Sequence, residues 1–256
     1  MPRHVECWVD GTALSSVGPF WIQQVFEDPA AAEVTEGERP GRAGTLAIGK
    51  KRQSLKVAIE LTIHELHDLA ARTHWIEQLA AWAGLSGTHV LQLSSHPGRQ
   101  LTVRCTAEPA LGEARNYASA VRIEWTAYEV PYWEDQLETV LDVSGDDETG
   151  TLVIPGTAPA PVSLTVTAGA GVTEMTVSAG DSEIELTGLE LETGDILTFT
   201  RDARDNLMIR SGNTVLLSCR TAESADDLLA GPGPVPVSFT ADGECDVRFS
   251  VRGRWS

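Results

Sequence analysis

The chain has 256 residues, 42% of them apolar, and a formal charge of −18. That is enough apolar material for one large or two small cored domains, and too much for a disordered chain. So acidic a surface excludes charge-driven binding to nucleic acid or to anionic lipid.

The charge is uneven. Residues 1–140 carry 12 Lys+Arg against 18 Asp+Glu, and residues 141–256 carry 7 against 19. The start, MPRHVECWVDG, lacks the apolar core of a signal peptide. No stretch approaches the ~18 apolar residues of a membrane span, so no membrane is expected as a partner. Four cysteines in a chain of this length are not a disulfide framework. Buried thiols are expected at Cys105 and Cys245, in a protein made in a reducing cytoplasm.

In chain order, Cys7–Val9 predicts a short strand. Glu27–Gly44 is rich in Ala, Glu, Gly and Pro and reads as a long loop or extended arm. Leu55, Val57, Ile59, Leu61 and Ile63 alternate with polar or small residues and predict a strand. Leu66, Leu69, Ala70, Thr73, Ile76, Leu79, Ala80 and Ala83 share one helical face, so a helix is predicted over 66–83 with Gly84 as its stop. Strands follow at His89–Leu93 and Leu101–Ala107, around the turn His96-Pro97-Gly98. Val121, Ile123, Trp125 and Ala127 then form the apolar face of a strand that closes the first half.

Val140–Gly150 is acidic, Ser- and Gly-containing and poor in apolar residues, which places a domain boundary there. The domains are taken as 1–139 and 140–256. Beyond it come many short strands and no helix. They are predicted at 151–154, 162–168, 175–178, 183–186, 196–200, 207–210, 215–219, 235–239 and 246–252. Turn signals such as Ala179-Gly180-Asp181 and Ser211-Gly212-Asn213 separate them, the pattern of a β-sandwich or jelly roll. In the last strand Cys245, Val247, Phe249, Val251, Gly253 and Trp255 face inward, and Asp246, Arg248, Ser250, Arg252 and Arg254 face outward.

Catalytic chemistry is sparse. No phosphate loop, nucleophile elbow or paired CxxC occurs. His64 and His67, with Asp68 and His74 nearby, do not make the convergent set a metal needs. The carboxylates at Asp202, Asp205, Asp226 and Asp227 sit in turn-like sequence, where Asp and Asn build the turn itself. Six of seven tryptophans precede residue 140. The second half therefore has few rings to offer a sugar. Pro131-Tyr132-Trp133 leaves its strand as either an interface anchor or a staple between domains.

Several motifs recur in a fixed order. The first half ends in Val130-Pro131-Tyr132-Trp133-Glu134, like an Asp-Pro-Tyr-Trp motif. Gly156-Thr157-Ala158-Pro159-Ala160-Pro161 opens the second half. Leu189 to Leu197, with Gly194-Asp195, precedes a strand, and Ser211-Gly212-Asn213 ends a hairpin. Leu229-Ala230-Gly231-Pro232-Gly233 precedes the last strand, which ends Arg252-Gly253-Arg254-Trp255. Over most of its length the chain thus resembles the distal tail proteins of long, non-contractile-tailed bacteriophages.

The resemblance implies a mainly β fold. An N-terminal β-sandwich-like domain with one α-helix and an extended arm is followed by a C-terminal galectin-like antiparallel β-sandwich. It implies a structural hub at the virion tail tip, synthesised in the bacterial host cytoplasm, with no enzymatic activity and no cofactor. Such hubs form homohexameric rings that join the tail tube to tip and receptor-binding proteins, and DNA only passes through the lumen. On this chain the interface is expected at Arg39, Arg42, Lys50, Lys51, Arg52, Tyr132 and Trp133. The arm would pair partly by charge with the next subunit, and part of the acidic charge would line the lumen. The alternatives are a carbohydrate-binding module with weak saccharide affinity, another tail-tube component, and a wall hydrolase. The hydrolase needs a convergent acid/base pair that the sequence does not display.

Overall fold

The computed structural model describes residues 5–38, 45–63, 69–115 and 118–256. It is mainly β, with antiparallel sheets and one α-helix among the described residues. The chain divides into two compact units after Trp133.

The first unit contains β1 (Cys7–Val9), β2 (Thr12–Ala13), a 3-10 turn at Leu14–Ser16, β3 (Phe20–Asp28), β4 (Ala32–Glu38), β5 (Thr45–Arg52), β6 (Leu55–Ile63), α1 (Leu69–Ala83), β7 (His89–Leu93), β8 (Arg99–Arg115) and β9 (Ala118–Ala127). β10 (Trp133–Asp135) carries the chain onward. The main sheet has the order β2-β1-β7-β8-β9-β6-β3. Its core is the alternation seen in the sequence: Leu55, Val57, Ile59, Leu61 and Ile63 of β6, beside Val121, Ile123 and Trp125 of β9, are all buried.

The helix covers the core with Leu79, Trp82 and Ala83. Helix ends leave carbonyls without intrahelical partners. Here the Trp125 indole donates to the Ala83 carbonyl at 3.0 Å, and the two indoles of Trp82 and Trp125 meet edge-on at 5.9 Å. Gly84 stops the helix at φ +67, where a Cβ would lie 2.4 Å from the His89 ring.

Two expectations for this unit change. Glu27–Gly44, expected as a long loop or extended arm, is strand and not loop over most of its described length. Glu27 and Asp28 end β3, and Ala32–Glu38 is β4, paired antiparallel with β5 in a separate two-stranded sheet. Alternation marks a strand whose neighbours in a sheet share a buried face, and among the described residues β4 and β5 pair only with each other. Cys105 is half-buried rather than buried; its Sγ points to the Ala107 carbonyl at 3.4 Å.

The second unit contains β11 (Thr139–Ile154), β12 (Ala160–Ala168), β13 (Val172–Ala179), β14 (Ser182–Leu191), β15 (Ile196–Arg201), β16 (Leu207–Ser211), β17 (Thr214–Val215), a 3-10 turn at Leu217–Cys219, β18 (Leu229–Ala230), β19 (Gly233–Val251) and β20 (Arg254–Trp255). The order is β14-β13-β19-β12-β15-β16-β17, with β11 alongside β19. One long strand thus replaces the two expected at 235–239 and 246–252. Its first part pairs with β13 and its second with β12. A strand that changes layers bends at the corner of a sandwich. The bend shows as a register shift opposite Gly145 and Asp147 of β11, where four residues of β19, 241–244, face a single residue of β11.

Val140–Gly150, read from its composition as an inter-domain segment, is therefore the body of β11. Asp142 and Ser144 are exposed on this strand, and Gly145 stands at its register shift with β19. The core between the layers gathers Phe199, Phe239 and Phe249, each fully buried, with Leu164, Val166, Val177, Ile184 and Ile209. Residues 215–219 form mostly a 3-10 turn, not a strand.

Arg254 is a further correction. Alternation puts it on the polar face, yet it is buried. β19 ends at Val251, and Gly253 sits where a Cβ would strike both Asp135 Oδ2 and the Pro155 carbonyl at 2.4 Å. Past that point Arg254 turns inward. Its Nη2 donates to both Asp205 oxygens at 2.8 Å and its Nε to Glu134 at 3.1 Å. Trp255 Nε1 donates to Asp135 at 2.9 Å.

Candidate assembly site

The structure gathers three of the sequence-predicted interface residues at the foot of the β4–β5 ribbon. Arg52 ends β5, and its guanidinium lies over the Tyr132 ring at 4.6 Å from the centroid. Such a contact is worth about 0.5–2 kcal/mol, more as it is desolvated. Arg52 is half-buried, and its Nε lies buried without a hydrogen-bond partner among the described residues. Trp133 is 3% exposed and stacks on His96 with centroids 4.5 Å apart.

Two residues the sequence reading did not select complete the cluster. The Glu27 carboxylate accepts from Trp133 Nε1 at 3.3 Å. It also accepts from His96 Nε2, at 2.8 Å to Oε1 and 3.1 Å to Oε2. Glu27 is the penultimate residue of β3, and His96 lies in the turn between β7 and β8. They are 69 residues apart in the chain, and no local pattern links them. Only the tight turn at His96-Pro97-Gly98 was legible.

Lys50 and Lys51 belong to β5, in register with Val34 and Glu33 of β4. Arg39 and Arg42 lie outside the described residues, as do His64, His67 and Asp68. His74 is exposed beside Trp75, at 5.1 Å between ring centroids. Among the described residues no three His, Cys, Asp or Glu side chains converge as metal ligands.

The acidic turns mostly build themselves. Asp202 accepts from the backbone N–H of Arg204 and Asn206 and from the Asn206 amide, which holds its carboxyl below the usual carboxylate range. Asp227 does more than turn the chain: it takes both arms of the largely buried Arg201 guanidinium.

A second feature of the first unit bears on association. β3 is the last strand of its sheet order, so one of its edges has no partner strand among the described residues. On the other side β8 pairs with β7 only through Val103 and then runs on against β9 to Arg115. Trp21, on β3, is 49% exposed. It borders a groove of about 320 Å³ lined also by Leu14, Phe20 and Ile22. Free edges are template surfaces that a protein must cover, blunt or use.

A mainly β chain in two units, the first with one helix and an outlying ribbon and the second a closed antiparallel sandwich, has the Dit-like fold of phage baseplate hubs. The solved structure that carries this likeness is the Dit (gp 19.1) protein of phage SPP1, described as a paradigm of hub adsorption apparatus in phages infecting Gram-positive hosts. The TM-score is 0.71 at 14% identity, over 97% of this chain and 98% of that one. A chain of the phage P2 baseplate in its activated conformation with Ca aligns over 97% of this chain and 98% of its own, at 10% identity and a TM-score of 0.49. No protein-family model and no curated protein matches the chain.

Proposed function

We propose that this chain is a non-enzymatic structural subunit of a phage tail tip. It closes into a homohexameric ring, and it joins the tail tube to tip and receptor-binding proteins in the virion. The observation that carries this reading is the likeness to the SPP1 hub protein across both units, 97% of the chain.

The first unit suits the ring. A ring needs a heterologous contact, in which one surface of a subunit meets a different surface of the next. The outer edge of β3 and the distal part of β8 are two such surfaces at opposite sides of one sheet. The β4–β5 ribbon, with Arg39, Arg42, Lys50, Lys51 and Arg52, clasps the neighbour, and Tyr132 and Trp133 brace it. The second unit carries tip proteins. Acidic charge along the lumen keeps passing DNA from adhering.

Native mass spectrometry of the purified chain tests the reading. A species near six times 27.5 kDa is expected. A chain that stays monomeric when mixed with tail-tube and tip proteins, at concentrations where those assemble, would sink it.

A further inference from the structure

The ribbon is the outward continuation of the β3–β6 hairpin. That hairpin ends at the pairs Glu27↔Val57 and Asp28↔Lys56, and the ribbon begins at Ala32↔Arg52. Between them Pro29, Ala30 and Ala31 lie opposite Gln53, Ser54 and Leu55, so the register carries through while the ladder of paired residues is interrupted. Pro29 has no N–H to give a ladder. A backbone bond from Gln53 N to Ala31 O, 2.8 Å, crosses the gap. Two strands without a sheet beside them are marginal in water, and an interrupted ladder at the root is a natural pivot.

Side chains brace the pivot from both sides. On the β3 foot, Glu27 is gripped by His96 and by the Trp133 indole. On the β5 foot, Arg52 lies on the Tyr132 ring. The two gripping residues are consecutive, and Pro131 before them is buried. Ala30, between the feet, is buried too. One short segment therefore holds both strands of the ribbon where they leave the sheet.

We propose that Tyr132 and Trp133, with Glu27, His96 and Arg52, are positioning residues: a clamp that fixes the direction in which the ribbon leaves the first unit. A ribbon ordered before contact spends less conformational entropy when a second copy of this chain binds it. The ordering itself does not depend on the hub reading; its use in assembly does.

The test is amide hydrogen exchange on the full chain at concentrations where it is monomeric, comparing the wild type with a Glu27→Ala/Arg52→Ala variant. Amides of 32–38 and 45–52 are expected to exchange roughly tenfold faster in the variant, with those of β6 and β9 unchanged. Arg52→Lys, which keeps a cation over the ring, is expected to restore part of the protection. Unchanged ribbon exchange overturns the clamp. So does acceleration spread equally over the whole first unit, which would mark a core defect. Native mass gives the second readout: the double variant is expected to need about tenfold more protein to assemble. If its exchange rises but its assembly is unaltered, the clamp has no part in assembly. If even the wild type never assembles, the hub reading fails while the exchange result still decides the clamp.

Discussion

The two units spend their residues differently. The second closes on itself. Three phenylalanines meet at its centre, and its last residues are tied back to its first through Arg254 with Glu134 and Trp255 with Asp135. The first closes only around β6, β9 and α1, and leaves one sheet edge and a whole ribbon outside. Charge follows the same division: 12 basic against 15 acidic residues before Glu134, and 7 against 22 from it onward. Both units keep exposed apolar side chains, Trp21 in the first and Leu137, Val153 and Ile196 in the second, but among the described residues the strands that pair outside the main sheets belong to the first. The surfaces left unsatisfied in the first unit are where association is to be sought.

The sharpest way to break this comparison is in the sandwich core. Phe249→Ala removes a fully buried ring and is expected to cost about 3–5 kcal/mol. In denaturant, the unfolding of the second unit should move to lower concentration, while ribbon exchange in the first unit stays unchanged. Loss of order in the ribbon as well would mean that the two regions do not divide the labour as described.

The closure at Arg254 is a test of nearly the same size. Arg254→Met leaves Glu134 and Asp205, two partly buried carboxylates, facing each other without a cation. Breaking a buried pair in this way costs about 3–5 kcal/mol. Adding Glu134→Gln and Asp205→Asn should restore much of the loss, because Asn tolerates the φ of +66 at position 205. If the triple variant is no more stable than Arg254→Met, charge imbalance is not the cause. Thermal melts of the three proteins decide it.

A smaller, pH-dependent effect belongs to the first unit alone. His89 Nδ1 lies 2.7 Å from the Asp10 carboxylate and Nε2 lies 2.8 Å from the Ser86 carbonyl. Both neighbours accept hydrogen bonds, an arrangement that favours the doubly protonated ring. The Asp10 hydrogen bond raises the His89 pKa above its ordinary 6.5; burial opposes this, and the Ser86 carbonyl and the Asp10 charge add to it. For Asp10, burial works against ionisation, but hydrogen bonds from His89 and the Val90 N–H, with the His89 charge, hold it below 3.8.

Each sign follows from linkage. The raised His89 contributes stability in full below pH 6.5, and it is lost as pH rises through the folded-state value. The lowered Asp10 contributes in full above pH 3.8, and it is lost as pH falls through its own folded-state value. The clasp between the β1–β2 turn and the end of α1 is therefore complete between those limits. His89→Gln should flatten the decline in stability of the first unit above neutrality. A wild-type decline that persists in the variant assigns it elsewhere.

Much of this was legible in the sequence where one face of an element is buried. β6, β9 and the second part of β19 announced themselves by alternation, and α1 by its apolar stripe and Gly84. What was hidden lacked that signal. The ribbon reads as a loop or extended arm because among the described residues its two strands pair only with each other, apart from the main sheets. β11 reads as a linker because Asp142 and Ser144 are exposed on it and Gly145 stands at its register shift with β19. Arg254 reads as a surface residue because alternation assumes a strand that continues, whereas β19 has already ended. The ribbon foot was half visible: Tyr132, Trp133 and Arg52 could be chosen by residue type. Glu27 and His96 could not, since only the sheet brings β3 beside the β7–β8 turn.

The smallest expected effect on stability makes the most discriminating probe of association. Trp21 stands half-exposed on the edge strand β3. Trp21→Ser removes a side chain that is already 49% exposed, so stability should fall by about 1 kcal/mol. Its effect on assembly should be larger, because a half-exposed tryptophan at a sheet edge is the kind of residue that dominates an interface once covered, at about 2 kcal/mol or more. The variant should therefore melt almost as the wild type does, yet show a ring population at least tenfold smaller at equal concentration by native mass. A variant that melts early but assembles normally would make Trp21 part of the fold of the first unit, and the contact between subunits would have to be sought along the ribbon instead.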